Sequence, residues 1–118
     1  MKLKELAENL EMGVDEFLEM IELFLETSAS DLNQWQSGID EGDGKKVMIA
    51  AHSIKGAAAN LGLLEIYEVA RKTELEAREN NLNGAIVAAR AIKEKIDQMA
   101  EDLFEAESSK LKAEGQTQ

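Results

Sequence analysis

Val47-Met48-Ile49-Ala50-Ala51-His52-Ser53-Ile54-Lys55-Gly56-Ala57-Ala58-Ala59-Asn60-Leu61-Gly62 is the stretch whose periodicity sets the fold class. Val47, Ala51, Ile54, Ala58 and Leu61 recur at steps of three and four, which is one face of a helix. Gly62 stands where a left-handed C-terminal cap is wanted. The same period continues on both sides. Upstream, Phe17, Ile21, Phe24, Leu25, Leu32, Trp35 and Ile39 mark a long helix over about 15–39, with Asp15 as the expected N-cap. Ser28 falls on that stripe, so the core must narrow there or admit a hydroxyl. Glu41-Gly42-Asp43-Gly44 is a turn, and the quoted helix runs over about 45–61. Downstream, a fourth helix is expected over about 63–80, with Leu64, Val69 or Ala70, Thr73 and Ala77 turned inward, and Asn80-Asn81 ends it. Asn83 is the expected N-cap of a fifth helix running to about 106, whose inward candidates are Ile86, Ala89, Ile92 or Lys93, Ile96, Met99 and Leu103. A short segment over about 3–10, with Leu3, Leu6 and Leu10, is closed by Gly13 and reads as a cap.

Four long amphipathic helices with short connections predict an all-α fold, an antiparallel four-helix bundle with a short N-terminal capping helix. The glycine breaks argue against an extended coiled coil. The bundle is expected over 1–107, with a polar, flexible tail over 108–118. A chain of 118 residues suits one domain, with a radius of gyration of roughly 13–14 Å. There are 0 Cys, so disulfides and thiolate metal sites are excluded. No apolar run approaches the ~18 residues of a transmembrane helix, and no signal peptide is visible, so a cytoplasmic location is expected. Met1 and the tapering tail fit a free-standing protein as well as one domain cut from a hybrid kinase. The formal net charge is −11. Residues 1–43 contribute −10 of it and residues 44–118 only −1. Nucleic acid and anionic membrane surfaces are therefore poor partners. The acidic Glu16, Glu19, Glu22, Glu26 series has helical steps and reads as a solvated face.

The chemistry concentrates at His52, the single histidine. It lies about 100° round the helix from Ala51, off the core stripe and on the solvent flank. Met48, Lys55, Gly56 and Ala59 share its face. Neutral imidazole is a nucleophile near pH 7. A lysine one turn on can meet phosphoryl oxygens, and phosphoryl transfer asks chiefly for positioning and charge compensation. A mid-helix glycine costs about 1 kcal/mol against alanine, yet it removes bulk beside the ring. Each feature also has a plain reading. A lone histidine or lysine is commonly just solvated, and Gly56 beside Ala57-Ala58-Ala59 could instead let a neighbouring helix approach. The joint pattern favours function.

The segment His52 to Gly62 resembles the signature of histidine-containing phosphotransfer (HPt) domains: histidine, lysine three on, glycine four on, small residues, then Leu61-Gly62. Phe17 to Leu25 resembles the second helix of that family, and the likeness covers roughly residues 10–80. The resemblance implies an antiparallel four-helix bundle. It also implies that His52 carries a phosphoryl group exchanged with the aspartate of a response-regulator receiver domain, stabilised by Lys55 and given clearance by Gly56. The receiver would supply Mg²⁺, with no cofactor bound by this chain. The docking surface would include Met48, Ala59 and parts of the first two helices, and a monomer is expected. Many members carry a Gln on the fourth helix near the histidine. Counting along, this chain has Glu74 there, and a carboxylate is a poor host for a phosphoryl group unless it points away or Arg71 or Arg78 neutralises it, so no role is expected of Glu74. No G-x-x-x-x-G-K-[ST] loop, G-x-G-x-x-G turn or Glu-x-x-His motif occurs, so neither an ATP site nor a carboxylate metal site is expected. The rival readings are a phosphorylatable input domain of a chemotaxis-type histidine kinase and a helical adaptor without chemistry.

Overall fold

Two left-handed glycines punctuate the chain. Gly42 (φ 66°) and Gly62 (φ 72°) each follow a helix. At the first, the Gly42 N–H reaches the Ile39 carbonyl at 3.1 Å and the Asp43 N–H reaches that of Gly38 at 2.8 Å. At the second, Gly62 and Leu63 bond the carbonyls of Ala59 and Ala58 at 3.2 and 2.9 Å. Both are Schellman caps, which satisfy the orphan carbonyls of a helix end and reverse the chain sharply. A third reversal uses Asn80 at φ 55°, a residue type that tolerates this region.

The computed structural model describes the backbone of residues 3–116 and the side chains of residues 3–109. It contains helices α1 (Leu3–Asn9), α2 (Val14–Glu41), α3 (Gly44–Leu61), α4 (Leu64–Arg78) and α5 (Ala85–Gln116), with no strand among the described residues. Helices α2 to α5 form the antiparallel four-helix bundle, and α1 lies against α2 with Leu3 and Ala7 buried. Trp35, Phe17, Ile21, Ile54, Ile66, Ile92 and Met99 are fully buried. Each such side chain contributes about 1.5–3 kcal/mol, more than any one cap, so packing rather than propensity holds the bundle. Ser28 is buried on the α2 stripe and donates to the Phe24 carbonyl one turn back, so the core admits its hydroxyl.

Specific contacts fix how the helices meet. Asp43 caps α3 by accepting from the Lys46 N–H. The Asn80 side chain accepts from the Gly44 N–H at 2.8 Å, tying the start of α3 to the end of α4. A Cβ on Gly44 would lie 2.6 Å from the Ala77 carbonyl oxygen, and one on Gly38 would lie 2.7 Å from Val47 Cγ2. The backbones approach there because no side chain intervenes. The buried Trp35 indole donates to the Ala85 carbonyl at 3.0 Å, joining α2 to the start of α5.

Several expectations need correction. Gly13, not Asp15, is the α2 N-cap. Asp15 sits in the first turn, where its charge complements the helix dipole. The inward stripe of α4 is Leu63, Ile66, Ala70, Thr73 and Ala77, while Leu64 is 70% exposed. Leu63 serves as N-cap and fills the core in place of Leu64, while Ala70, Thr73 and Ala77 are inward as expected. Helix α5 starts at Ala85, directly after Gly84 rather than Asn83, and Ala85 is buried while Ile86 is 43% exposed. That helix continues to Gln116, not to about 106. Ala106, Glu107, Leu111, Lys112, Ala113 and Glu114 are compatible with helix, and no proline stops it. Residues 117–118, and the side chains from 110 onward, fall outside what is described. At ~1.5 Å per residue, α5 is long enough to stretch the molecule to 58 × 25 × 17 Å. The radius of gyration is 16.0 Å, larger than a rounder chain would have.

Candidate functional site

His52 sits on the middle of α3, where the core residues Ala51 and Ile54 leave it pointing outward. Its side chain is 68% exposed. Nδ1 nevertheless has a fixed partner, Glu74 Oε1 on α4, at 2.7 Å. Lys55, one turn on, places Nζ 2.7 Å from Glu74 Oε2. Glu74 follows Thr73 on the packed face of α4, and its side chain is only 6% exposed. One buried carboxylate thus receives the imidazole on one oxygen and the ammonium on the other. The Arg78 guanidinium stands one α4 turn further at 3.7 Å from Oε1.

The electrostatics follow from this geometry. Burial pushes the Glu74 carboxyl upward more than any other single influence. The hydrogen bonds from Lys55 and His52, together with their charges, outweigh burial and hold it below the ordinary carboxylate value. Glu74 is therefore ionised at neutral pH and can only accept hydrogen bonds. The proton on the Glu74-facing nitrogen belongs to His52 Nδ1, and in the neutral ring the lone pair is on Nε2, on the other edge of the imidazole.

Gly56 is one helical turn beyond His52 on the same face of α3. A Cβ there would meet no atom within 4 Å. Close helix packing within the chain, the plain explanation of this glycine, is therefore wrong: the space is open to solvent. Ala59 is exposed and keeps the next turn low. Met48, expected to be exposed, is half-buried against the core, and the bare apolar side chain on this face is Ile49, 58% exposed. Ser53, next to His52, donates to Asp31 on α2 at 2.6 Å, so the α2 and α3 surfaces form one continuous face.

The structure thus brings His52, Lys55, Gly56 and Ala59 together and adds Glu74. Arg71, one of two candidate neutralisers, pairs with Glu68 at 3.2 Å instead. The cations that neutralise Glu74 come mainly from α3. The sequence signal for Glu74 was its place four residues after the inward Ala70 and three before the inward Ala77. Two donors share the Glu74 carboxylate, so it does not stand beside His52 as a bare negative charge.

A family model for the Hpt domain matches residues 19–105. The chain belongs to the Hpt domain family. Histidine phosphotransfer in a phosphorelay is the activity class of this Hpt domain, and such domains interact with receiver domains of two-component systems. Among solved structures, the chain is similar to histidine-containing phosphotransfer protein B (HptB) from Pseudomonas aeruginosa PAO1, with a TM-score of 0.74 and 21% identity. The alignment covers 91% of this Hpt domain and 90% of that chain, and at this identity it establishes the shared bundle fold. A comparison with curated proteins found no match. No helix among the described residues is long and apolar enough to cross a membrane.

Proposed function

We propose that His52 is the phosphoryl carrier of this Hpt domain, accepting the group from the aspartyl phosphate of a receiver domain and returning it to a receiver aspartate. The observation that carries this reading is the His52–Glu74 hydrogen bond. It occupies Nδ1 and leaves the Nε2 lone pair facing solvent beside the open space at Gly56.

In the forward step Nε2 attacks phosphorus. The P–O bond to the donor aspartate breaks, and the bonding pair leaves as the carboxylate of the receiver. No proton has to move, because Nδ1 keeps its hydrogen on Glu74. The ring acquires imidazolium character, and the Glu74 carboxylate stabilises it as the aspartate of a catalytic triad stabilises its histidine. Lys55 supplies the cation for the phosphoryl oxygens, and Gly56 gives them room. Mg²⁺ is expected on the receiver, where it neutralises the group in flight. The docking surface is the face around His52, with Met48, Ile49 and Ala59 on α3 and the acidic side of α2.

The test is transfer of label from a phosphorylated receiver domain to wild type and to His52→Gln. Acid-labile label on wild type alone is the expected result. Equal labelling of both proteins, or no label on the folded wild type from several receivers, overturns the reading.

A further inference from the structure

Three basic groups surround the Glu74 carboxylate, and they are not equivalent. His52 holds Oε1 and Lys55 holds Oε2, each at 2.7 Å. Arg78 stands at 3.7 Å from Oε1, within ion-pair reach but beyond hydrogen-bond distance, on a side chain that is 57% exposed. In the unphosphorylated protein the carboxylate already has its two donors, and Arg78 is in reserve.

Phosphorylation changes that balance. A phosphoryl group brings close to two negative charges and three acceptor oxygens. On Nε2 it lies on the opposite edge of the ring from Glu74. Lys55 is the nearest ammonium, and it must turn outward from Oε2 to meet those oxygens. The buried carboxylate would then lose one of its two donors, and a buried acceptor left without a partner is costly. The remaining cations on α4 are committed elsewhere: Arg71 to Glu68 at 3.2 Å, and Lys72 toward Glu76 at 3.9 Å.

Building on the reading of His52 as the carrier, we propose that Arg78 is a positioning residue that closes onto Glu74 when Lys55 leaves it for the phosphoryl group. Glu74 stays ionised and keeps its hold on Nδ1 throughout the cycle, so the ring does not turn while loaded. A carboxylate can therefore stand beside a loaded imidazole, because two cations exchange places on it.

The experiment loads the protein with phosphoramidate, a small donor that needs no partner, and measures the phosphohistidine fraction at fixed donor concentration. Arg78→Ala should lower that fraction about fivefold, equivalent to ~1 kcal/mol, and Arg78→Lys should restore most of it. The same Arg78→Ala change made on top of Glu74→Gln should shift the fraction less than twofold, because no carboxylate remains to be balanced. A second readout separates exchange from a merely structural role. The ¹³C-detected titration of the Glu74 carboxyl should move upward in Arg78→Ala only after phosphorylation, since Lys55 holds it beforehand. Equal loading of wild type and Arg78→Ala, or an equal loss in the Glu74→Gln background, overturns the proposal while leaving His52 as carrier. Failure of folded wild type to take any label from phosphoramidate overturns both.

Discussion

Glu74 controls the site, because one buried side chain fixes both the tautomer of His52 and the resting position of Lys55. Its depressed folded value has a consequence for stability. The unfolded carboxyl titrates near 4.5, so its stabilising contribution is fully present above that pH and is lost as pH falls through the lower folded value. Chemical denaturation at pH 7 and pH 3.5 should therefore show a larger acid loss for wild type than for Glu74→Gln; parallel losses would contradict the ion pair. Lys55→Ala removes one charge-assisted hydrogen bond and should cost about 1.5–3 kcal/mol of stability, leaving the circular dichroism spectrum unchanged. Transfer from a receiver should fall about tenfold, the scale of ~1.4 kcal/mol in a transition state; unchanged transfer kinetics would remove Lys55 from the phosphate role. At this scale the sequence was legible for His52, Lys55 and Gly56, whose spacing along one helix is visible in one dimension. Glu74 was not, because its meaning depends on which α3 side chains face it across the α3–α4 contact.

The helices show the same division between local and long-range information. The turn over 41–44, the capping glycine at 62 and the stripe of α3 follow from short-range rules and agree with the structure. The bodies of α4 and α5 agree too, with Ala70, Thr73 and Ala77 and then Ile92, Ile96, Met99 and Leu103 inward as expected, but their first turns do not, because Leu63 and Leu64, or Ala85 and Ile86, are both apolar neighbours. Only packing against the neighbouring helices, α3 and α5 for α4 and α2 and α4 for α5, decides which of each pair is buried. The glycines of α2 and α3 give opposite predictions. Gly38→Ala should destabilise by about 1–3 kcal/mol, because its Cβ would enter Val47 at 2.7 Å. Gly56→Ala should instead stabilise by about 0.5–1 kcal/mol, because the new methyl meets nothing and glycine is a poor helix former. Urea denaturation of both variants checks the pair, and a destabilised Gly56→Ala would mean that this position is packed after all. Gly56→Leu should fold as well as wild type but lose phosphotransfer, since bulk then stands beside Nε2.

The whole molecule carries its charge unevenly, with −10 of the −11 in residues 1–43. The acidic side of α2 adjoins the His52 face through the Ser53–Asp31 hydrogen bond. A receiver that docks there through a basic face should do so faster at low ionic strength, because charges more than ~8–10 Å apart are screened near physiological salt. Stopped-flow association at 20 and 300 mM salt should show at least a severalfold decrease; a flat profile would place docking away from this face. The bundle was legible as a class from helical periodicity and short connections. Its elongation was not, because α5 continues through a polar stretch that reads equally well as a tail. The account rests on one atom, Nε2 of His52, left free because Glu74 holds Nδ1. The most direct test is ¹⁵N NMR of the protein labelled in its single histidine, recorded before and after phosphorylation. The account predicts a hydrogen on Nδ1 before loading and the phosphoryl group on Nε2 after it. A phosphoryl group on Nδ1, or an unmodified imidazole in protein that has taken up phosphate, would contradict it.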